Sequence, residues 1–258
     1  MADTLQHAQE EVRYSYSAKR MAKYLTLIEG TPINHKRIAR IMSEYLLNAR
    51  IRKRRHPEYW YRQRDKERLS DRQCAPNILG RNFTSIVPLR KLATDVTWVP
   101  FAGGTLYLSA IMDLFNHEII SYEMSTRNTT ATALAPILRL LGATNCEGAL
   151  LHCDRGPTYR SEEYQTLLAR NKIISSYSRA GNCWDNALME CFFGHLKCEL
   201  GYINGSTRKR SFHHLAQEIT DYIAFYNERR IQKNLGWTSP LQYRIQKYGE
   251  IESKKVST

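Results

Sequence analysis

The sequence predicts an α/β fold: a mixed β-sheet with helices packed on it, preceded by a small helical segment. Three observations lead there. From residue 93 on, the apolar pattern follows the order β-β-β-α-β-α-β-α-α, which builds a mixed sheet flanked by helices. Before it, residues 17–47 carry helical periodicity and no alternating run. The charge is also lopsided. Residues 1–92 hold 20 Lys and Arg against 9 Asp and Glu, while residues 93–258 hold 18 against 16. Most of the net +13 therefore sits in the N-terminal third, and a polyanion, nucleic acid ahead of a membrane surface, is the partner such a distribution suits.

The elements follow in order. Met21, Tyr24, Leu25 and Leu27 line a first helix, which "GTP" breaks. Asn34 suits an N-cap, and Ile38, Ile41, Met42 and Tyr45 continue a second helix that opens with His35, Lys36, Arg37 and Arg40. A helix-turn-helix uses the start of its second helix on DNA; a basic hairpin that only packs on the rest gives the same pattern. Arg50, Arg52, Lys53, Arg54 and Arg55 form a basic run suited to phosphate contact. Tyr59, Trp60 and Tyr61 after it suit docking onto a core or stacking on bases.

"ATDVTWVP" (93–100), "TLYLSAIMDLF" (105–115) and "HEIISYEMS" (117–125) read as three consecutive strands. Residues 129–143 are helical, with Pro136 inside the run offering a later start near Ala135. "GALLHCDRG" is a buried strand, Ser161 caps a helix over 161–171, and "KIISSYS" is a short strand. "NALMECFFGHLKCEL" (186–200) and "SFHHLAQEITDYIAFYNERR" (211–230) are amphipathic helices, the second holding a partly exposed His213-His214 pair. Six Cys at 74, 146, 153, 183, 191 and 198 make no Cys-x-x-Cys and no zinc spacing, so they read as reduced thiols. No run reaches the ~18 apolar residues of a membrane span, and the N-terminus has no apolar signal region.

Three acids stand in apolar settings on three elements. Asp95 shares a face of the first strand with Ala93 and Thr97, where an unpartnered acid costs stability. Asp154 ends the fourth strand. Glu190 lies among Met189, Cys191, Phe192 and Phe193 in a helix. Oxygen ligands without His or Cys favour magnesium or manganese. Singly, each has a plainer reading: turn residue, buried acceptor, helix surface group. Lys197, seven residues after Glu190, falls on nearly the same helix face, as a phosphate contact or a solvated lysine. Arg155 either contacts phosphate or braces the turn. Arg179 is a further DNA-contact candidate, and Asn182, Asp185 and Asn186 suit capping the Glu190 helix.

Asp154 and Glu190 have 35 residues between them. The words "TDVTWVP", "HCDRGPTYRS", "SRAGNCWDNALMECFFGHLKCEL" and "YNERRIQKNLGWTSPLQY" strongly resemble the integrase-core transposases of bacterial insertion sequences, the group usually numbered three. The resemblance runs from about residue 17 to 245. It implies an RNase H-like sheet of the retroviral-integrase catalytic-core type, with Asp95, Asp154 and Glu190 as catalytic and metal-binding triad. It implies Mg2+ or Mn2+, two ions, and joining of insertion-sequence ends to target double-stranded DNA. By it, residues 1–48 are a helix-turn-helix-like segment, 49–91 a basic linker, 92–205 the catalytic core and 206–258 a helical extension of the core. The residues themselves suggest DNA contacts from Lys36, Arg37, Arg40, Arg52, Lys53, Arg54, Arg55, Arg179 and Lys197, and the family often has a basic residue where Lys197 stands. The expected setting is a homo-multimer on DNA in the bacterial cytoplasm, at the nucleoid, with an upstream reading-frame product as a further partner and no membrane. Cys153, Pro157-Thr158 and Gln232 depart from the Ser, Ser-Gln and His common in the family, and residues 1–16 match little.

The chemistry so implied exchanges one phosphodiester for another. Two divalent ions about 4 Å apart can activate the attacking oxygen and stabilise the leaving one. No ATP is needed, in keeping with the lack of a G-x-x-x-x-G-K-[ST] loop. No covalent enzyme intermediate is needed either. A DNA-binding protein with the fold as mere scaffold, and a nuclease that cuts without joining, are the rival readings.

Overall fold

The computed structural model describes residues 1–50, 75–202 and 205–256. The basic run Arg52–Arg55 and the aromatics at 59–61 lie outside them. The chain opens with α1 (Ala2–Glu11), α2 (Ala18–Glu29) and α3 (His35–Glu44). The two helices read over residues 17–47 are α2 and α3, and α1 precedes them where few apolar residues mark its bounds. It buries Leu5 and Ala8 and the side chain of Gln9. The Gln9 amide nitrogen donates to the carbonyls of Tyr16 and Leu47 at 3.0 and 2.9 Å, tying α1 to the segments that follow it. Between α2 and α3 the chain turns at Gly30, whose φ of 71° suits glycine. Asn34 caps α3 as expected, its side chain accepting from Lys36 N–H at 2.9 Å.

Five strands follow: β1 (Lys91–Phe101), β2 (Gly104–Asp113), β3 (Ile119–Ser125), β4 (Leu150–Cys153) and β5 (Ile174–Tyr177). Their spatial order is β3-β2-β1-β4-β5. The first three form an antiparallel meander; β4 and β5 join in parallel. Among the described residues the further α-helices are α4 (Thr130–Ala143), α5 (Glu162–Arg170), α6 (Ala187–Glu199), α7 (Phe212–Glu228) and α8 (Pro240–Val256). Pro136 does not delay α4, which begins at Thr130 and runs through it. The carbonyl of Pro136 instead accepts the Ser121 hydroxyl of β3 at 2.8 Å.

Strand alternation divides the core. Leu92, Ile111, Leu151 and Cys153 pack with Ala133, Ile137, Leu140, Tyr164 and Leu168 of α4 and α5. Ala93, Leu108, Ala110 and Leu150 face the other way, toward Met189, Phe192 and Leu196 of α6 and toward α7. The N-terminal helices join this second cluster through Leu5, Met21, Leu25 and Ile38. Burying each such side chain is worth roughly 1.5–3 kcal/mol. A polar latch adds specificity: the buried Tyr16 hydroxyl accepts Ile231 N–H at 2.8 Å.

Candidate active site

The sheet brings two acids side by side. In the parallel pair β1–β4, Ala93 is in register with His152. Two residues further along each strand path come Asp95 and Asp154. By strand parity both belong to the face covered by α6, which carries Glu190 in its first turn. All three are partly buried.

Their charges interact. Burial pushes the Asp95 carboxyl well above the usual carboxylate range, and the neighbouring Asp154 and Glu190 charges push it the same way. The Val96 N–H, donating to Asp95 Oδ1 at 2.8 Å, and the Lys197 ammonium oppose them. The sheet and α6 thus bring together the predicted Asp95, Asp154, Glu190 and Lys197. The Lys197 ammonium lies over the rings of Trp98 and Tyr202, 5.1 and 5.4 Å from their centroids, a favourable cation–π position. Those rings meet edge to face at 5.9 Å.

The turn after β4 is built around Asp154. Gly156 N–H donates to Asp154 Oδ1 at 2.8 Å. A Cβ on Gly156 would stand 2.9 Å from that oxygen, so a side chain there displaces the carboxylate. Pro157 starts the 3-10 turn Pro157–Arg160, where its missing N–H costs nothing. Cys153 is a buried core thiol. Arg155 braces the turn, donating from Nε to the Ser178 carbonyl at 2.6 Å. His152 is fully buried between Ser176 and Ser178, at 2.9 and 3.1 Å. Burial lowers its pKa to about 4 against the pull of Asp185, so it is a neutral structural bridge.

The loop before α6 differs from its sequence reading. Asn186 holds the N-cap position without a capping bond; its side chain donates instead to the Thr94 carbonyl at 3.3 Å, next to Asp95. Asp185 is fully buried and does not cap either. It accepts from Arg81 Nε at 2.7 Å, from Arg179 Nε, Nη2 and backbone N–H at 3.0, 2.9 and 2.9 Å, and from Asn77 at 2.9 Å. Burial raises its pKa, but these donors overcome that and hold it well below the carboxylate range. Arg179 is thus engaged as a clamp on Asp185. Arg81 and Asn77 were missed: they lie more than 100 residues from Asp185 in sequence, and nothing local to them signals the contact.

Lys36, Arg37 and Arg40 are exposed along α3, opposite the buried Ile38, Ile41 and Met42. Among the described residues, no group of three or more His, Cys, Asp or Glu stands close enough to hold a metal ion as it is. The donor chemistry of the site nonetheless fits a hard divalent cation: carboxylate oxygens whose mutual repulsion a cation would relieve. None of the described helices is long and apolar enough to cross a membrane.

Comparison with known proteins agrees with this architecture. Residues 87–183 and 190–248 each match an integrase core domain, and residues 3–55 match an HTH-like domain. The chain is 40% identical over 223 residues to an Escherichia coli (strain K12) protein named as a candidate transposase of insertion sequence element IS150, covering 85% of this chain and 74% of that one. It is 38% identical over 224 residues to an uncharacterised transposase-like protein of Haemophilus influenzae, covering 85% and 97%. With the transposase of insertion sequence element IS904 from Lactococcus lactis it shares 32% over 233 residues, covering 88% and 87%. In fold it is similar to a chain of the simian T-cell lymphotropic virus intasome, with TM-score 0.52 and 16% identity over 86% of this chain and 69% of that one. The sheet and its helices are those of an integrase core, and the chain belongs to the integrase-core transposases of bacterial insertion sequences.

Proposed function

We propose that this transposase joins insertion-sequence ends to target DNA by phosphodiester transesterification, with Asp95, Asp154 and Glu190 as its catalytic carboxylates. The observation that carries this reading is that β1, the end of β4 and α6 bring Asp95, Asp154 and Glu190 together, with the Asp95 carboxyl pushed up by burial first and then by the Asp154 and Glu190 charges. Such crowding is costly in a fold of marginal stability and suits a site whose ligand supplies the missing positive charge.

Divalent metal, Mg2+ or Mn2+ and two ions in our reading, supplies the Lewis acid that activates the attacking oxygen and stabilises the leaving one. Asp95 on β1 and Asp154 just after β4 would hold the metal from neighbouring strand paths, and Glu190 on α6 would complete the ligand set. Lys197 holds a phosphate oxygen beside the carboxylates. Arg155 and Gly156 keep the Asp154 turn in shape. Lys36, Arg37 and Arg40 contact the DNA backbone from α3, and Arg52, Lys53, Arg54 and Arg55 do so from the basic run. Arg179 stays on the clamp and adds positive charge at the rim. A homo-multimer holds the paired ends, with an upstream reading-frame product as a further partner, in the bacterial cytoplasm at the nucleoid.

The test is incubation with labelled insertion-sequence-end duplex and Mg2+, alone and with the upstream product. Joined products that vanish with EDTA and with Asp154→Asn are the expected result. Cleavage without joining points to a nuclease. Binding by both wild type and Asp154→Asn, with neither cutting nor joining, overturns the catalytic reading.

A further inference from the structure

Beyond the three acids, β1 and α6 meet a second time. Trp98 follows Asp95 by three residues on β1, about 10 Å along the strand. Lys197 follows Glu190 by seven on α6, about 10 Å along the helix. The Lys197 ammonium stands over the Trp98 ring. Strand and helix therefore run side by side, with the acids at one meeting point and this pair at the other. β4 pairs with β1 over Lys91–Ala93 alone, so among the described residues no strand borders the stretch from Asp95 to Trp98 on that side. There the Trp98 side chain meets Lys197 and Tyr202.

Trp98 is 50% exposed, although Thr97 and Val99 on either side of it are buried. The cation and the Tyr202 ring steady the indole, and half of its surface still faces water. A fully buried indole would contribute more to the fold; this one leaves a rigid apolar surface open beside the acids. Of the three tryptophans among the described residues, only Trp98 and Trp184 are exposed. Trp184 stands in the 3-10 turn Cys183–Asn186 that leads into α6, so both exposed indoles border the triad.

We propose that Trp98, steadied by Tyr202 and Lys197, is a stacking platform for one unpaired nucleobase of the insertion-sequence end, next to the phosphate that reacts. The proposal rests on the reading that the chain joins such ends. Every base has a π face, so an exposed indole can take one without reading its hydrogen-bonding edge. The base must leave its own stack to reach the ring, a cost that the new stacking offsets. The cation beside the ring suits the phosphate of the same nucleotide. Spacing sets the position: about 10 Å is about three steps of a DNA strand at roughly 3.4 Å each. The stacked base therefore lies within about three nucleotides of the reacting phosphate. Trp98 is a positioning residue, which holds the strand while the acids act on it.

The test compares joining by wild type, Trp98→Ala, Trp98→Leu, Trp98→Phe and Trp184→Ala on labelled end duplexes with Mg2+, with thermal melts as controls. Trp98→Leu keeps apolar bulk without a π face, so it carries the test if Trp98→Ala loses stability. Both should lower joining roughly 5- to 150-fold, and Trp98→Phe should retain most of it. A scan of single abasic sites should find one position, within about three nucleotides of the reacting phosphate, that lowers wild-type joining by a similar factor and leaves Trp98→Ala unaffected. A mismatch there spares the unpairing cost and should recover part of the Trp98→Ala activity. Joining of paired ends by Trp98→Ala and Trp98→Leu at the wild-type level overturns the proposal. So does an abasic scan that is the same in wild type and Trp98→Ala, or one whose sensitive position is lost in Trp184→Ala instead. A sensitive position found only in the target strand overturns the assignment to the end. Wild type that joins no paired end, alone or with the upstream product, overturns the transposition reading itself.

Discussion

Asp95 and Asp185 are two acids withdrawn from solvent at neighbouring elements, and their environments are opposites. Asp95 faces two other carboxylates, and its charge is resisted by burial and by both neighbours. Asp185 faces two guanidiniums and an amide, and its charge is welcomed. The contrast separates two jobs. A satisfied buried charge fixes backbone: Asp185 pins the segments of Arg81 and Arg179 to the start of α6, while Asn186 next to it reaches the Thr94 carbonyl. A frustrated charge stores binding capacity, because a cation entering the site relieves it. The clamp on Asp185 holds the loop that leads into α6, the helix that carries Glu190.

The contrast breaks most sharply when one member of the crowded set loses its charge. Asp95→Asn and Asp154→Asn should abolish strand transfer by at least about a thousandfold, equivalent to roughly 4 kcal/mol in the barrier. Both should leave circular dichroism and DNA binding intact. A variant with more than a tenth of wild-type joining would remove that acid from the proposed triad. Asp185→Ala acts on the other side. It strips the partner from two guanidiniums and should destabilise the protein by roughly 3 kcal/mol, seen as a fall in Tm of roughly 6–12 °C in a chain of this size. An unchanged Tm would show the clamp to be dispensable. Gly156→Ala tests the geometry between the two regions. The added Cβ meets the Asp154 carboxylate, so joining should fall about tenfold or more while Tm shifts little. Normal activity would mean that the turn yields at no cost.

The sequence made one half of this comparison legible and left the other dark. Asp95, Asp154 and Glu190 stand out because an acid in an apolar run is locally improbable, and because the flanking words resemble a family. The strands and helices that carry them follow from periodicity, with Asn34 and Ser161 capping as expected. The clamp could not be read, since Arg81 sits in a stretch that looks like linker and its partner lies 104 residues on. Asp185 looked like a helix cap because Asp before an amphipathic run usually is one; tertiary contacts won instead. Helix α1 was hidden by its polar composition and by the short reach of Leu5 and Ala8. Pro136 suits a helix start, but α4 begins at Thr130 and runs through it, and the Pro136 carbonyl accepts the Ser121 hydroxyl from β3.

The smallest expected effect is a pH dependence, and its sign distinguishes the two acids. In the metal-free protein the folded-state pKa of Asp95 lies above its unfolded value. Between those values the folded state binds more protons than the unfolded one, so stability falls as pH rises. The slope is at most one proton's worth, about 1.4 kcal/mol per pH unit, and it begins above the ordinary carboxylate range near 4. Asp185 works in reverse: its folded pKa is depressed, so its contribution is present above its unfolded pKa and is lost progressively as pH falls below that value. Chemical denaturation at several pH values, with EDTA present, should therefore show wild type losing stability upward from about pH 4. Asp95→Asn should flatten that slope and be the more stable protein at neutral pH. Added Mg2+ should narrow the gap by stabilising wild type at neutral pH more than the variant. A wild-type slope that Asp95→Asn leaves unchanged would mean that the carboxylates are not crowded, and the contrast with Asp185 would then lose its physical basis.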